Sequence, residues 1–195
     1  MAVKTKQAPG RVPPGQYVTE KWPVLHYGGI PRFDPATWDF RIFGLVEAPR
    51  VLTYREFMAL PRTTLTCDIH CVTAWSRLGV TFEGVAATTI LDLVAVRPEA
   101  MFVMVHGEQG YETNLPLEYL RADDAMFASR ADGADLTPEH GWPLRLVVPR
   151  LYFWKSAKWV RGIELMAKDR AGFWERNGYN MRGDPWKEER YSSPW

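Results

Sequence analysis

The apolar residues of this chain come in short runs, and that fact most constrains its fold. MFVMVHG (101–107), LRLVVP (144–149) and VRGIELM (160–166) each stop within six or seven residues. Such runs read as buried strands rather than helices, and a membrane span would need about 20 apolar residues. Elsewhere the pattern alternates: Trp38, Phe40 and Ile42 interleave with Asp39, Arg41 and Phe43 before Gly44 and Pro49, and TTLTCDIH (63–70) is β-branched. Both read as strands. Short helices fall between them. Thr53 and Glu56 form a capping box ahead of Phe57, Met58 and Leu60, with Pro61 as the stop; Thr89 and Asp92 mark a second helix running through Val96 to about Pro98. The expectation is an α+β fold of mixed β-sheets with short surrounding helices.

Composition narrows the class. A chain of 195 residues with 46% hydrophobic residues fits one domain, and one of this size buries roughly 70% of its unfolded surface. With 24 Lys+Arg against 23 Asp+Glu it lacks the basic excess of a general nucleic-acid binder. Residues 1–22, rich in Pro and Gly, read as an extended N-terminal arm, and 23–168 as the main domain. In 169–195, a C-terminal segment, the aromatics Trp174, Tyr179, Trp186, Tyr191 and Trp195 alternate with charges, among them the acids Glu175, Asp184, Glu188 and Glu189. Those acids would repel phosphates, so this stretch reads as a wrapping segment with aromatic anchors. Lys4, Lys6 and Arg11 stand in the arm without an apolar stretch or twin arginine, and Cys67 and Cys71 lie too far apart on an extended strand to bridge. A reducing, cytoplasmic setting is the expectation.

Few residues invite chemistry. Cys71, beside His70 at the end of a predicted strand, is a candidate nucleophile or soft-metal ligand; its bland alternative is a small buried apolar side chain. Zinc held by Cys67, His70 and Cys71 is disfavoured, because one strand sends them to opposite faces. His140 stands in a turn before the strand that carries Arg145, and an arginine facing a core needs an anion; one facing solvent does not. Arg150, Lys155, Ser156 and Lys158 gather within nine residues among aromatics, which suits a phosphate.

CVTAWSRLG, HGWPLRLVVP and WKSAKWVRGIEL, in that order, resemble the molybdopterin-binding domain of the sulfite oxidase superfamily, and among its members the short single-domain bacterial ones. The resemblance covers about residues 22–180 and makes 23–168 the molybdopterin-binding domain. It implies molybdenum held by the dithiolene of a single molybdopterin and by the thiolate of Cys71. It further implies that His140, Arg145, Lys155, Ser156 and Lys158 grip the pterin and its phosphate. His26, Tyr27 and Gly28 would pack on the pterin from an N-terminal loop, and Thr113 and Asn114 would lie in a loop near it. Tyr179, five residues after Trp174, matches the active-site tyrosine and would hydrogen-bond an oxyanion or relay a proton; its alternative is an aromatic anchor.

Two departures bear on the substrate. Sulfite oxidases follow the cysteine with Ala-Gly-Asn-Arg-Arg, whereas here Val72, Thr73, Ala74, Trp75 and Ser76 precede Arg77, and Tyr27 stands near the place of another family arginine. The resemblance therefore implies oxygen-atom transfer on a small neutral substrate, a sulfoxide or N-oxide, more than on a sulfur oxyanion. Similar cysteine segments occur in the catalytic subunit of bacterial methionine sulfoxide reductases of this superfamily. No haem, iron–sulfur or dinucleotide motif is present, so a separate redox partner is expected: a cytochrome, flavoprotein or quinone-linked protein. The C-terminal tryptophans, Trp195 among them, are candidates for its docking surface. A rival expectation is a non-catalytic domain of the same fold that acts through a partner protein.

Overall fold

The computed structural model describes residues 10–192; Lys4, Lys6 and Trp195 lie outside them. In chain order the elements are β1 (Tyr17–Val18), β2 (Asp39–Gly44), β3 (Arg50–Thr53), α1 (Tyr54–Met58), β4 (Thr63–His70), β5 (Trp75–Ala86) and α2 (Ala87–Leu91). They continue as β6 (Phe102–Gly107), β7 (Glu112–Pro116), α3 (Leu117–Leu120), β8 (Met126–Ala131), β9 (Ala134–Asp135), β10 (Arg145–Val147), β11 (Val160–Met166) and α4 (Phe173–Arg176).

Two mixed sheets carry the fold. One runs β1-β5-β8-β10, with β4 on β5 and β9 on β8; the other runs β3-β2-β11-β6-β7. Among the described residues β1·β5 and β11·β2 are parallel and the remaining strand pairs antiparallel. The period of two explains the layering. On β8, Phe127 packs into the core shared with Phe40, Ile42, Val105 and Ile163 of the second sheet, while Met126 and Ala128 face the opposite way. That second face packs against Ile69, Trp75, Phe82, Tyr152 and Trp154, and it is there that Cys71 lies.

The short apolar runs become β6, β10 and β11, with LRLVVP contributing only three strand residues. The capping box forms as expected: Glu56 N donates to Thr53 Oγ1, and Thr53 N to Glu56 Oε2 at 2.8 Å. The second helix differs from expectation. It spans Ala87–Leu91 with Asp92 as its C-cap, because buried Ala87, Ile90 and Leu91 set the helical face and the chain then leaves to bridge Val96 with Val46. The arm is not simply superficial: Pro13 and Gln16 are buried, and β1 pairs with β5 beside the Cys71 turn.

Candidate active site

Cys71 owes its place to two local irregularities. The β4·β5 register shifts between Cys67 and Ile69, a bulge that re-aims the end of β4. The chain then reverses over residues 71–75, closed by Cys71 N to Trp75 O at 2.8 Å and Ala74 N to Cys71 O at 3.1 Å. Ala74 takes φ 72°, a left-handed conformation that costs an alanine about 1–2 kcal/mol and must be held by its surroundings. What holds it comes from both ends of the chain. Gln16 Nε2 donates to Cys71 O at 3.0 Å, Tyr17 N to Ala74 O at 2.9 Å, and Arg190 Nη1 to Val72 O at 2.5 Å. Gln16 also accepts from Ser76 Oγ, which pairs with His70 Nδ1 at 2.8 Å. Burial drives the His70 imidazole down to about 4, so it is neutral and structural, and among the described residues no His/Cys/Asp/Glu cluster suits a metal ion, zinc included.

The Cys71 thiol opens on a cavity of about 390 Å3. Burial raises its pKa, opposed by the Thr73 hydroxyl, the backbone amides of Val72 and Thr73, and the charge of Arg190. A metal replaces the proton without that penalty, which makes this sulfur better suited to a ligand than to a free nucleophile. Cys67 is half-buried against the same apolar cluster, and burial pushes it up to about 12.

Two cations border the same cavity without carboxylate partners. Arg145, 1% exposed, donates from Nη1 to His140 O at 2.7 Å and from Nη2 to Ser156 O at 2.9 Å, while its buried Nε has no partner. Its guanidinium lies 4.1 Å from the Phe153 ring centroid and 5.4 Å from that of Trp22, and burial draws it down to about 9. Lys158 donates to Leu25 O and Glu139 O, and burial together with Arg145 brings it to about 7. Ser156 Oγ accepts from Val148 N at 3.0 Å. A buried arginine with an orphaned N–H and a half-buried lysine form a ready anion site. Gly141, with φ 107°, permits the turn into it; a Cβ there would meet Arg145 Cβ and Lys158 Cβ at 3.1 Å.

The structure gathers Cys71, Tyr179, His26, Tyr27, Gly28, Arg145, Ser156 and Lys158 around this cavity. It sets others apart. His140 is covered by Trp22, with ring centroids 4.3 Å apart, and its Nε2 faces Trp22 O. Thr113 and Asn114 are not in a loop but on β7, fully buried, and they turn to a polar cluster outside the cavity lining. Lys155 belongs to that cluster. Its Nζ meets Glu175 Oε1 at 2.6 Å, Asn114 Oδ1 at 2.9 Å and Met181 O at 2.7 Å, leaving no proton for a phosphate. Glu175 also accepts from Trp154 Nε1 at 2.8 Å and Thr113 Oγ1 at 3.2 Å.

Sequence reasoning missed Gln16, Trp22, Trp159, Phe173 and Arg190. Trp22 and Gln16 sit in an arm without periodicity, and Arg190 reaches its carbonyl across 118 positions of sequence; no local signal marks such contacts. The aromatic wall is dense. Tyr179 stacks on Trp174 at 5.0 Å and meets Trp154 edge-on, while Tyr27, 68% exposed, lies 4.8 Å from Phe173 at the rim.

A fold of two mixed sheets that holds a cavity-facing thiol beside a buried anion site is that of a molybdopterin oxidoreductase. Residues 27–174 match the oxidoreductase molybdopterin binding domain, and the chain belongs to that family within the sulfite oxidase superfamily. It is 49% identical over 192 residues to the uncharacterized oxidoreductase YuiH of Bacillus subtilis, covering 97% of each chain. Sulfite oxidase of Arabidopsis thaliana is 26% identical over 80% of this chain and 49% of its own. The sulfane dehydrogenase SoxCD of Paracoccus pantotrophus superposes with a TM-score of 0.69 at 27% identity, over 78% of this chain and 43% of that one. The chain thus spans nearly all of the Bacillus relative and about half of the other two. Its cofactor is molybdenum carried on molybdopterin, and the residues present fit it: a soft sulfur for the metal and two unpaired cations for the phosphate.

Proposed function

We propose that the chain transfers an oxygen atom between a small neutral substrate, such as a sulfoxide or N-oxide, and its molybdenum cofactor. The observation that carries this reading is the Cys71 thiol, open to a cavity rich in aromatic side chains whose two cations without carboxylate partners suit the pterin phosphate. When bound, the cofactor supplies a two-electron metal centre able to exchange an oxygen atom. Cys71 anchors the metal; Arg145, Lys158 and Ser156 hold the pterin side, with His26, Tyr27 and Gly28 at the rim. Burial raises the pKa of Tyr179, so its phenol keeps its proton and donates a hydrogen bond to the substrate oxygen.

Charge argues against sulfite. Arg77 is paired with Asp132 at 2.6 Å and does not line the cavity, and Tyr27 carries no charge, so a dianion would lack cations beyond those given to the phosphate. Electrons come from a separate redox protein in the cytoplasm. No helix among the described residues is long and apolar enough to cross a membrane. A domain that acts only by recruiting a partner would leave the cavity-facing thiol without a use.

The test is steady-state turnover of the molybdenum-loaded protein. With a reduced dye as donor for the oxides and an oxidised dye as acceptor for sulfite, kcat/KM for a dialkyl or aryl sulfoxide or an N-oxide should exceed kcat/KM for sulfite oxidation by at least about tenfold. Sulfite oxidation as the faster reaction would overturn the assignment of substrate class.

A further inference from the structure

A hydroxyl two residues past the cysteine is aimed at its sulfur. Thr73 Oγ1 lies 3.2 Å from Cys71 Sγ, and among the described residues that sulfur is its hydrogen-bond partner. Thr73 lines the same cavity as the thiol. The approach is fixed by backbone: the Cys71, Val72 and Ala74 carbonyls are each taken by Gln16, Arg190 or Tyr17, so the turn cannot relax without breaking contacts to both ends of the chain. Cys71 itself belongs to a buried cluster with the apolar Val72, Trp75, Phe153 and Trp154. A hydrogen bond in such surroundings is stronger than one in water.

A sulfur bound to metal carries no proton. Of the pair, the Thr73 hydroxyl is then the donor and the thiolate the acceptor. We infer that Thr73 is a positioning residue of the metal centre, its O–H drawing electron density from the Cys71 thiolate and so raising the reduction potential of the molybdenum that the thiolate binds. Hydrogen bonds to ligating sulfur are an established lever on metal potentials, because they stabilise the more electron-rich, reduced state. The inference rests on Cys71 being the molybdenum ligand.

Thr73→Val removes the hydroxyl at constant shape, at an exposed turn position where folding is not at stake; Thr73→Ser keeps it. On molybdenum-loaded protein, the sulfur-to-metal charge-transfer band of the valine variant should move to longer wavelength and its midpoint potential should fall, with the serine variant close to wild type in both. A valine variant that purifies without molybdenum while the serine variant is loaded points the same way, since the hydroxyl is then what keeps the ligand engaged. Unchanged band and potential in a fully loaded valine variant would overturn the inference. Failure of the underlying reading looks different: Cys71→Ser would then keep the wild-type molybdenum content and spectrum.

Discussion

Arg145→Met should strip the pterin from the protein while leaving the empty fold about as stable as before. The guanidinium is 1% exposed, has no carboxylate partner and keeps one N–H unsatisfied. Its fall from 12.5 to about 9 corresponds to a penalty on the order of 5 kcal/mol for holding the charge in the empty protein. Methionine removes that penalty but leaves His140 O and Ser156 O without their donor, at about 1–3 kcal/mol each. The two effects largely cancel. The cofactor sees no such cancellation. Losing one partner of a buried charge pair costs about 3–5 kcal/mol, so the pterin should bind about 150- to 5000-fold more weakly. Pterin fluorescence released on denaturation, read beside calorimetry of the empty proteins, checks both halves. A large drop in melting temperature with the pterin retained would show Arg145 to be a structural cation.

Lys155 and Glu175 should behave in the opposite way. Their charges meet at 2.6 Å with both side chains fully buried, so Lys155→Met or Glu175→Leu leaves one charge stranded at a cost of about 3–5 kcal/mol. The double variant should lose less than the sum of the two. The pair also ties three elements together: Asn114 and Thr113 on β7, Trp154 in the cavity wall and the backbone at Met181. Chemical denaturation with pterin content measured per folded molecule should show stability lost and the cofactor kept. A stable Lys155→Met protein without pterin would return Lys155 to the phosphate site that its sequence neighbourhood suggests.

What the chain disclosed in advance was governed by range. β2, β4, β6 and β11 follow from two-residue alternation or from apolar runs, and α1 from a local capping box, because each is decided within a few residues. β7 and β8 were not legible. ETNLP places Thr113 and Asn114 in a buried polar cluster, and MFASRA splits its apolar residues between two faces, so neither has the signature of a core strand. The same limit applies at the site. Cys71 and Arg145 stand out as a soft donor and a cation in apolar surroundings. Lys155 and Lys158 look alike in WKSAKW, yet Lys155 turns onto Glu175 and Lys158 borders the cavity. That difference is made by a carboxylate 20 residues away, and the Cys71 turn is likewise clamped by residues from the arm and the C-terminal stretch.

If Cys71 holds the molybdenum of a pterin cofactor, the metal bound beside the pterin must depend on it. Metal and pterin should be quantified together on protein made in a host that synthesises the cofactor, beside the Cys71→Ser variant. Wild-type protein should carry equimolar molybdenum and pterin, and the variant should retain pterin with molybdenum lost or its spectrum altered. A folded wild-type protein with neither, or a Cys71→Ser variant matching the wild type in molybdenum content and spectrum, would contradict that role of Cys71.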